Sequence, residues 1–466
     1  MSEKLTLHKY QSDITGLMIE HKAFGVFAEP GTGKTPTSLY VVNHFRQKTL
    51  VIAPIRIAYS VWPPETKKWS DFNNIKTGLL HGLDKEQRFL DDSIGIYIIN
   101  PEGLVWLESM VAKHKRFPFT NLIVDESAKF KSPSSKRFKA LKRVIGLFKR
   151  RYILAGNPMP NSYMDLWAQI FLLDRGERLG RTISAYRNRF FTRGGFRGYE
   201  YFLRPGAEEE IKDLIKDICI FIKATDHLDL PKLVINDIRF DLPKGLRKKY
   251  RVMEKQLFWD LDEGKILASS AAVANSKCQQ IAQGFLFESL SDKQKYDKVT
   301  KKVYDLHNIK IELLEELVDE LNGSPLLVGY WFRPDYDKLK KAFPKAVYFA
   351  DSSKSEAVQI EKDWNAGKIP LLIGNIASIS HGLNLQKAGN HVCFYTMVWN
   401  YDMYDQFIKR VLRQGNDNDR VFVHRIIANK TMEEAMIMSM QDKSAMSSGF
   451  LNAINLYREK IKEYDE

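Results

Sequence analysis

Residues 28–35, Ala28-Glu29-Pro30-Gly31-Thr32-Gly33-Lys34-Thr35, follow a short apolar run, Phe24 to Ala28, and precede a stretch from Thr37 to Phe45 that reads as a helix. Strand, glycine loop and helix in that order are the context a phosphate-binding loop requires. Gly31 and Gly33, with Thr32 between them, let backbone N–H groups turn inward around a triphosphate, and the positive end of the helix dipole faces the same anion. Lys34 is placed to reach the β- and γ-phosphates, and the Thr35 hydroxyl to hold Mg²⁺. Two residues depart from the ideal: Ala28 stands where a first Gly is usual, and Pro36 removes one backbone donor from the first helical turn.

Outward from this loop, the first part of the chain alternates short apolar strands with helical stretches, as a parallel α/β sheet requires. Candidate strands are Phe24–Ala28, Thr49–Ala53, Gly95–Ile99, Leu122–Val124 and Tyr152–Leu154, and they give way to polar or Pro/Gly-containing segments at Pro54, Asn100, Asp125 and Gly156. Ligands of open α/β sheets lie outside the carboxyl ends of the strands, so these segments are expected to share one crevice. Asp125-Glu126 leaves the buried strand 122–124 as two adjacent carboxylates, an expensive arrangement unless something employs them. Asp125 is placed to support the Mg²⁺ held by Thr35, and Glu126 to orient or deprotonate the attacking water. The plainer alternative is an acidic pair that caps the next helix.

From Ser127 to Met164 there is no acidic residue and ten basic ones, Lys129 and Lys131 among them. Such a one-sign run is either a solvated helix face or a surface for phosphate backbone. From about Asp174 to Leu290 the strand pattern weakens: Lys244 to Trp259 and Ser269 to Phe287 read as helices, and Arg193 to Arg204 as an exposed loop. A second α/β series follows, with the helix Lys310–Leu321 and strands at Leu326–Tyr330, Ala346–Phe349, Leu371–Gly374, His391–Tyr395 and Val421–Ile427. This part has no second phosphate loop. Its best catalytic donors are Gln406, Arg410 and Arg413, which on a helix fall at spacings of four and three on one face, where guanidinium groups can meet a γ-phosphate.

The 466 residues suffice for two or three domains, and 44% apolar with 12% aromatic content marks a globular chain. Lys plus Arg number 71 against 57 Asp plus Glu, a net charge of +14 that suits a polyanionic partner. Cys219, Cys278 and Cys393 have no paired spacing for zinc or a disulfide framework. With no apolar run of signal-peptide or membrane-spanning length, the expectation is a soluble cytoplasmic protein without a membrane partner.

The ordered motifs together resemble the Swi/Snf-like branch of the superfamily-two helicase-like ATPases, over nearly the whole length and in the minimal form of phages and bacteria. Leu7-His8-Lys9-Tyr10-Gln11 resembles the element whose Gln, here Gln11, reads adenine. Pro54 through Trp69, including Arg56, and Asn100-Pro101-Glu102 resemble motifs that contact the nucleic-acid backbone. Residues 125–141 resemble the branch's acidic motif with its Lys-rich continuation. The stretch 154–167 resembles the coupling motif, with Ala155 and Asn157 where Thr is usual. Ser380–Ala388, with His381 and Asn384, resembles the motif joining DNA contact to the ATP site, and 406–416 the arginine-finger motif, with Asn416 for a customary Gln.

The resemblance implies an α/β fold of two RecA-like parallel-sheet lobes with helical insertions between them. The first lobe is expected over 1–240 with a partly helical insertion from about 175, a helical linker over 241–290, and the second lobe over 291–466. It further implies that ATP and Mg²⁺ are used between the lobes by a monomeric translocase on double-stranded DNA. A strand-separating or branch-migrating helicase acting on DNA or RNA, and an ATP switch without motor activity, are the alternatives.

Overall fold

All five strands expected in the first part of the chain form, and all five join one sheet. The structure, a computed structural model, describes residues 4–159, 162–194, 200–262, 268–288, 302–380, 383–441 and 457. The chain divides into two compact units, Met1–Asp229 and Leu230–Glu466. In the first, the strands are β1 (Ala23–Ala28), β2 (Thr49–Ile52), β3 (Thr77–Leu79), β4 (Ile96–Ile99), β5 (Asn121–Asp125) and β6 (Arg150–Ala155), followed by a separate antiparallel hairpin of β7 (Phe191–Gly194) and β8 (Glu200–Leu203), and then β9 (Cys219–Ile222). The sheet is 7-stranded in the order β3-β4-β2-β5-β6-β1-β9, and every pairing in it is parallel. β2, β4 and β5 are buried at every position, because helices cover both faces of a parallel sheet, and for that reason they read as unbroken apolar runs.

The second unit holds β10 (Lys232–Phe240), a short antiparallel pair of β11 (Phe285–Phe287) and β12 (Val303–Asp305), then β13 (Leu326–Tyr330), β14 (Val347–Tyr348), β15 (Leu371–Asn375), β16 (His391–Phe394) and β17 (Arg420–Ala428). Its 6-stranded sheet has the order β10-β17-β16-β13-β15-β14, again all parallel. Side chains alternate between two cores: Leu326, Val328, Leu371, Ile373 and Cys393 lie in one, and Leu327, Leu372, Val392 and Phe394 in the other. The period of 2 along each strand separates them. Among the described residues no helix is long and apolar enough to cross a membrane.

The expected domain limits shift. Residues 232–240, assigned to the first lobe by sequence, form β10 and pair along their whole length with β17 of the second sheet. As an edge strand carrying Asn236 and Asp237, β10 lacks the apolar run that marked the central strands, and it is tied in by backbone pairing and an Arg425–Asp237 ion pair. Nor do residues 241–290 stand apart as a linker, since Tyr250, Cys278, Ile281 and Ala282 enter the core of the second unit. The helix expected through Phe287 stops at Gln283, where Gly284 turns with φ 92° into β11.

Candidate functional site

The loop between β1 and the helix Lys34–Phe45 takes the conformation its glycines permit, with Gly31 at φ 92° and Gly33 at φ 77°. Gly33 precedes the helix without a side-chain cap, and the first turn contains no acidic residue. The helix N-terminus therefore keeps its donors for an anion. Gly33 is held at a positive φ that favours glycine, and a Cβ there would displace the Gln11 side-chain amide from the loop. Lys34 Nζ donates to Ala28 O at 2.6 Å and Glu29 O at 3.3 Å, which draws the ammonium back across the loop. Thr32 Oγ1 donates to Glu29 O at 2.8 Å and closes the turn.

Gln11 is brought to this loop rather than held away from it. Its Nε2 donates to Thr32 O at 3.0 Å, its Oε1 accepts from His8 N at 2.9 Å, and Tyr10 Oη donates to the same Thr32 O at 3.0 Å. The side chain assigned to adenine recognition thus braces the phosphate loop here, and the polar atoms of its amide are engaged by protein.

Asp125 ends β5, and Glu126 follows in the left-handed region at φ 55° and ψ 53°. Holding a non-glycine residue there costs about 1–3 kcal/mol, a strain that concentrates at functional sites. Asp125 is buried, its Oδ2 accepting from Trp62 Nε1 at 3.0 Å and its Oδ1 from Glu126 N at 3.1 Å. Burial first, and the neighbouring Glu126 second, push its carboxyl up to about 6, while the Trp62 hydrogen bond and Lys34 act in the opposite direction. A buried carboxylate lifted in this way beside a hydroxyl-bearing helix start fits a hard divalent cation. Asp125 and Thr35 are the residues that would hold Mg²⁺, which would supply charge neutralisation at the phosphates.

The raised value carries a testable sign. Asp125 binds its proton more tightly folded than unfolded, so its ionisation opposes folding, and its contribution to stability falls as pH rises from about 4 to about 6. Asp125→Asn is expected to raise the melting temperature of nucleotide-free protein at about pH 7.5 and to lose that advantage near pH 4, while hydrolysis falls at least about 100-fold. Melting curves at the two pH values check this; an equal shift at both would show that the charge is not responsible.

The acidic pair is tied to the 154–167 stretch by a residue that the sequence reading missed. Gln169 is fully buried in the otherwise apolar helix Leu166–Asp174. Its Oε1 accepts from Ser127 Oγ at 2.7 Å, and its Nε2 donates to Asp165 O at 2.9 Å and to Pro158 O. A lone polar residue inside the run 166–173 was the available signal, because a buried amide is retained only where it is fully bonded.

The segments expected to share a crevice do leave the sheet at one edge. Pro54 follows β2 and Asn100 follows β4, each just before a short helical turn. Asn100 Nδ2 donates to Glu102 Oε2 at 2.9 Å. Arg56 lies in the helix Ile55–Ser60, but its side chain is outside the described residues, as is His381 altogether. Lys129 is exposed, whereas Lys131 faces Asp165 at 3.7 Å.

The basic run 129–151 is not one surface. Arg137 pairs with Glu102 and Arg143 with Glu108, Arg150 stacks on Phe45, and burial lowers the Arg151 value. Lys129, Lys136, Lys139 and Lys149 are exposed and, among the described residues, have no ion pair.

In the second unit the expected helix face is not formed. The helix Tyr401–Ile408 ends before either arginine; Arg410 N bonds to Phe407 O at 3.2 Å and Val411 N to Ile408 O at 3.0 Å, a tighter turn. Leu385 N takes the Arg410 carbonyl at 3.1 Å, so that group is captured by another segment instead of continuing the helix. Arg410 is buried, donating from Nε to Gln406 O at 3.0 Å and from Nη1 to Leu383 O at 3.1 Å. Arg413 donates to Asn384 Oδ1, and Gln406 Nε2 to Asp402 Oδ2 at 2.9 Å. The two arginines still meet the 383–384 segment, through a loop and not through helical spacing, whereas the Gln406 side chain stays on its own helix with Asp402.

The SNF2-related domain family matches residues 10–284 and the Helicase conserved C-terminal domain matches 309–415. The chain is 34% identical to protein p41 of Acyrthosiphon pisum secondary endosymbiont phage 1, over 96% of this chain and 98% of that one. It is 23% identical to Protein CHROMATIN REMODELING 5 of Arabidopsis thaliana over 92% of this chain. It spans only 26% of that plant protein and 50% of YwqA of Bacillus subtilis. The solved SWI2/SNF2 ATPase core of Sulfolobus solfataricus in complex with dsDNA is similar at 19% identity and a TM-score of 0.44, over 99% of this chain and 97% of that one. The chain belongs to the SNF2-related family within the superfamily-two helicase-like ATPases, and is a DNA-dependent ATPase.

Proposed function

We propose that the protein is a translocase that moves along double-stranded DNA by hydrolysing ATP with Mg²⁺. The observation that carries this reading is the shared sheet edge: the phosphate loop after β1, the acidic pair after β5 and the backbone-contact segments after β2 and β4 all leave the first sheet at its carboxyl ends. A small displacement of a loop at that edge is felt at once by nucleotide and nucleic acid, and lobe motion on each turnover then advances the backbone contacts. Glu126 takes a proton from the attacking water, Lys34 and the loop amides hold the phosphates, and the arginine-finger role falls to Arg413. Arg410, committed to Gln406 and Leu383, holds the arginine-bearing loop in shape. The Ser127–Gln169–Pro158 connection stands where Ala155 and Asn157 offer no Thr hydroxyl.

Contacts of this kind are chiefly to phosphates, so binding has little base preference and a steep salt dependence. Steady-state ATP hydrolysis measured with duplex, single-stranded and branched DNA and with RNA tests the proposal. Duplex DNA is expected to raise the rate severalfold or more; equal rates with and without duplex would sink it. Displacement of a triplex strand without unwinding of a fork separates translocation from strand separation.

A further inference from the structure

The β7–β8 hairpin occupies a stretch that the sequence presents as an open loop. Two-stranded hairpins are marginal unless anchored, and this one is anchored at its base. Phe191 is buried in the first core with Tyr201 and Leu203 packed against it. Arg204 donates from Nε to Arg189 O at 2.7 Å, and both Arg189 and Arg204 pair with Glu210. Further back in the chain, Arg178 pairs with Asp217 at 2.5 Å.

Beyond the anchored base the pattern of compensation stops. Arg193 lies directly opposite Tyr201 in the hairpin register, with its guanidinium 5.7 Å from the ring centre, and Arg187 from the helix Ile183–Phe190 lies 4.8 Å from the same ring. Among the described residues neither of these two arginines has an ion pair, and Arg187 Nε is buried without a hydrogen-bond acceptor. Two like charges gathered on one ring are unfavourable in isolation and favourable beside a polyanion. Arg178, Arg189 and Arg204 each have a carboxylate partner, whereas Arg187 and Arg193 have, among the described residues, an aromatic platform and no ion pair.

We infer that Arg187, Tyr201 and Arg193 form a phosphate-backbone contact for duplex DNA, additional to the segments at the sheet edge. The choice of duplex rests on the translocase reading; the contact with a phosphate backbone does not. The ring orients the two planar guanidinium groups, which can then each engage a phosphate through paired N–H donors.

The test uses the full-length, nucleotide-free protein and a short fluorescent DNA duplex, with binding followed by anisotropy across a salt series. Each lost phosphate contact lowers the slope of log affinity against log salt by about 0.9, so Arg187→Gln/Arg193→Gln is expected to lower it by roughly 1–2 and weaken binding about tenfold. Hydrolysis without DNA and turnover at saturating DNA are expected to stay at wild-type levels. Lys at both positions should restore most of the slope, because the charge is kept. Arg193 is exposed, so Arg193→Gln alone leaves the fold intact and should remove about one contact. An unchanged slope and affinity in both Gln variants would overturn the contact, and a larger loss on single-stranded than on duplex DNA would overturn the choice of duplex. Duplex binding that fails to stimulate the wild-type ATPase would reject the motor reading and leave the contact to be judged by its slope.

Discussion

Glu126→Gln is expected to bind ATP as the wild type does and to hydrolyse it about 10²–10⁴-fold more slowly, the range over which a positioned general base contributes. Gln keeps the length and branching of Glu, so the left-handed backbone at φ 55° is maintained and the substitution tests the proton acceptor alone. The surroundings support that role. Asp125 is fixed by Trp62 and by the Glu126 amide, and Ser127 is fixed by Gln169. Glu126, between two pinned neighbours, is only partly buried. Its carboxylate is therefore the one of the pair that solvent can reach, whereas Asp125 faces inward. Nucleotide titration beside steady-state hydrolysis on duplex DNA measures the two effects separately. Lys34→Ala gives the opposite pattern, with affinity lost first. Wild-type turnover in Glu126→Gln would exclude this residue as the base.

The difference between these two carboxylates could be anticipated from sequence only in outline. Strand β5 was legible because Leu122-Ile123-Val124 is buried on both faces, and an acidic pair after such a strand stands out. The left-handed turn that separates the two side chains was not, since nothing in Asp-Glu-Ser-Ala signals a positive φ. The same division runs through the whole molecule. Central strands announce themselves by continuous apolar residues, but β10, an exposed edge strand, is held by backbone pairing and by Arg425–Asp237, a partner distant in sequence. The basic run looked uniform because the acids that divide it, Glu102 and Glu108, come from earlier in the chain. At Arg410 and Arg413 helical periodicity grouped two residues that no helix carries. Their convergence on Asn384 and Leu383 depends on a helix that stops early, and the competing interaction that stops it is tertiary.

Glu433→Ala is expected to destabilise the second unit by about 3–5 kcal/mol, the cost of leaving a buried charge without its partner. Lys310 and Glu433 are essentially inaccessible to solvent and pair at 2.6 Å. Lys310 Nζ also donates to Gln283 Oε1 at 2.9 Å and to Tyr395 O at 3.3 Å, while the second Glu433 oxygen accepts from Ala428 N at 2.8 Å. Gln283 carries the network on to Thr396 Oγ1 at 3.0 Å, and Thr396 donates to buried Asp335 at 2.7 Å. Three segments distant in sequence, the end of the helix Ala268–Gln283, the residue just after β16 and the start of the helix Met432–Gln441, thus meet at the Lys310 ammonium group. Removing the carboxylate strands that ammonium; removing both charges does not. The double variant Lys310→Met/Glu433→Ala should therefore be more stable than Glu433→Ala alone, although it has lost more hydrogen bonds. Urea unfolding followed through the transition of the second unit checks both variants. A loss below about 0.5 kcal/mol in Glu433→Ala, the size of an ordinary surface substitution, would show that water reaches Lys310 and that the network is not what holds these segments together.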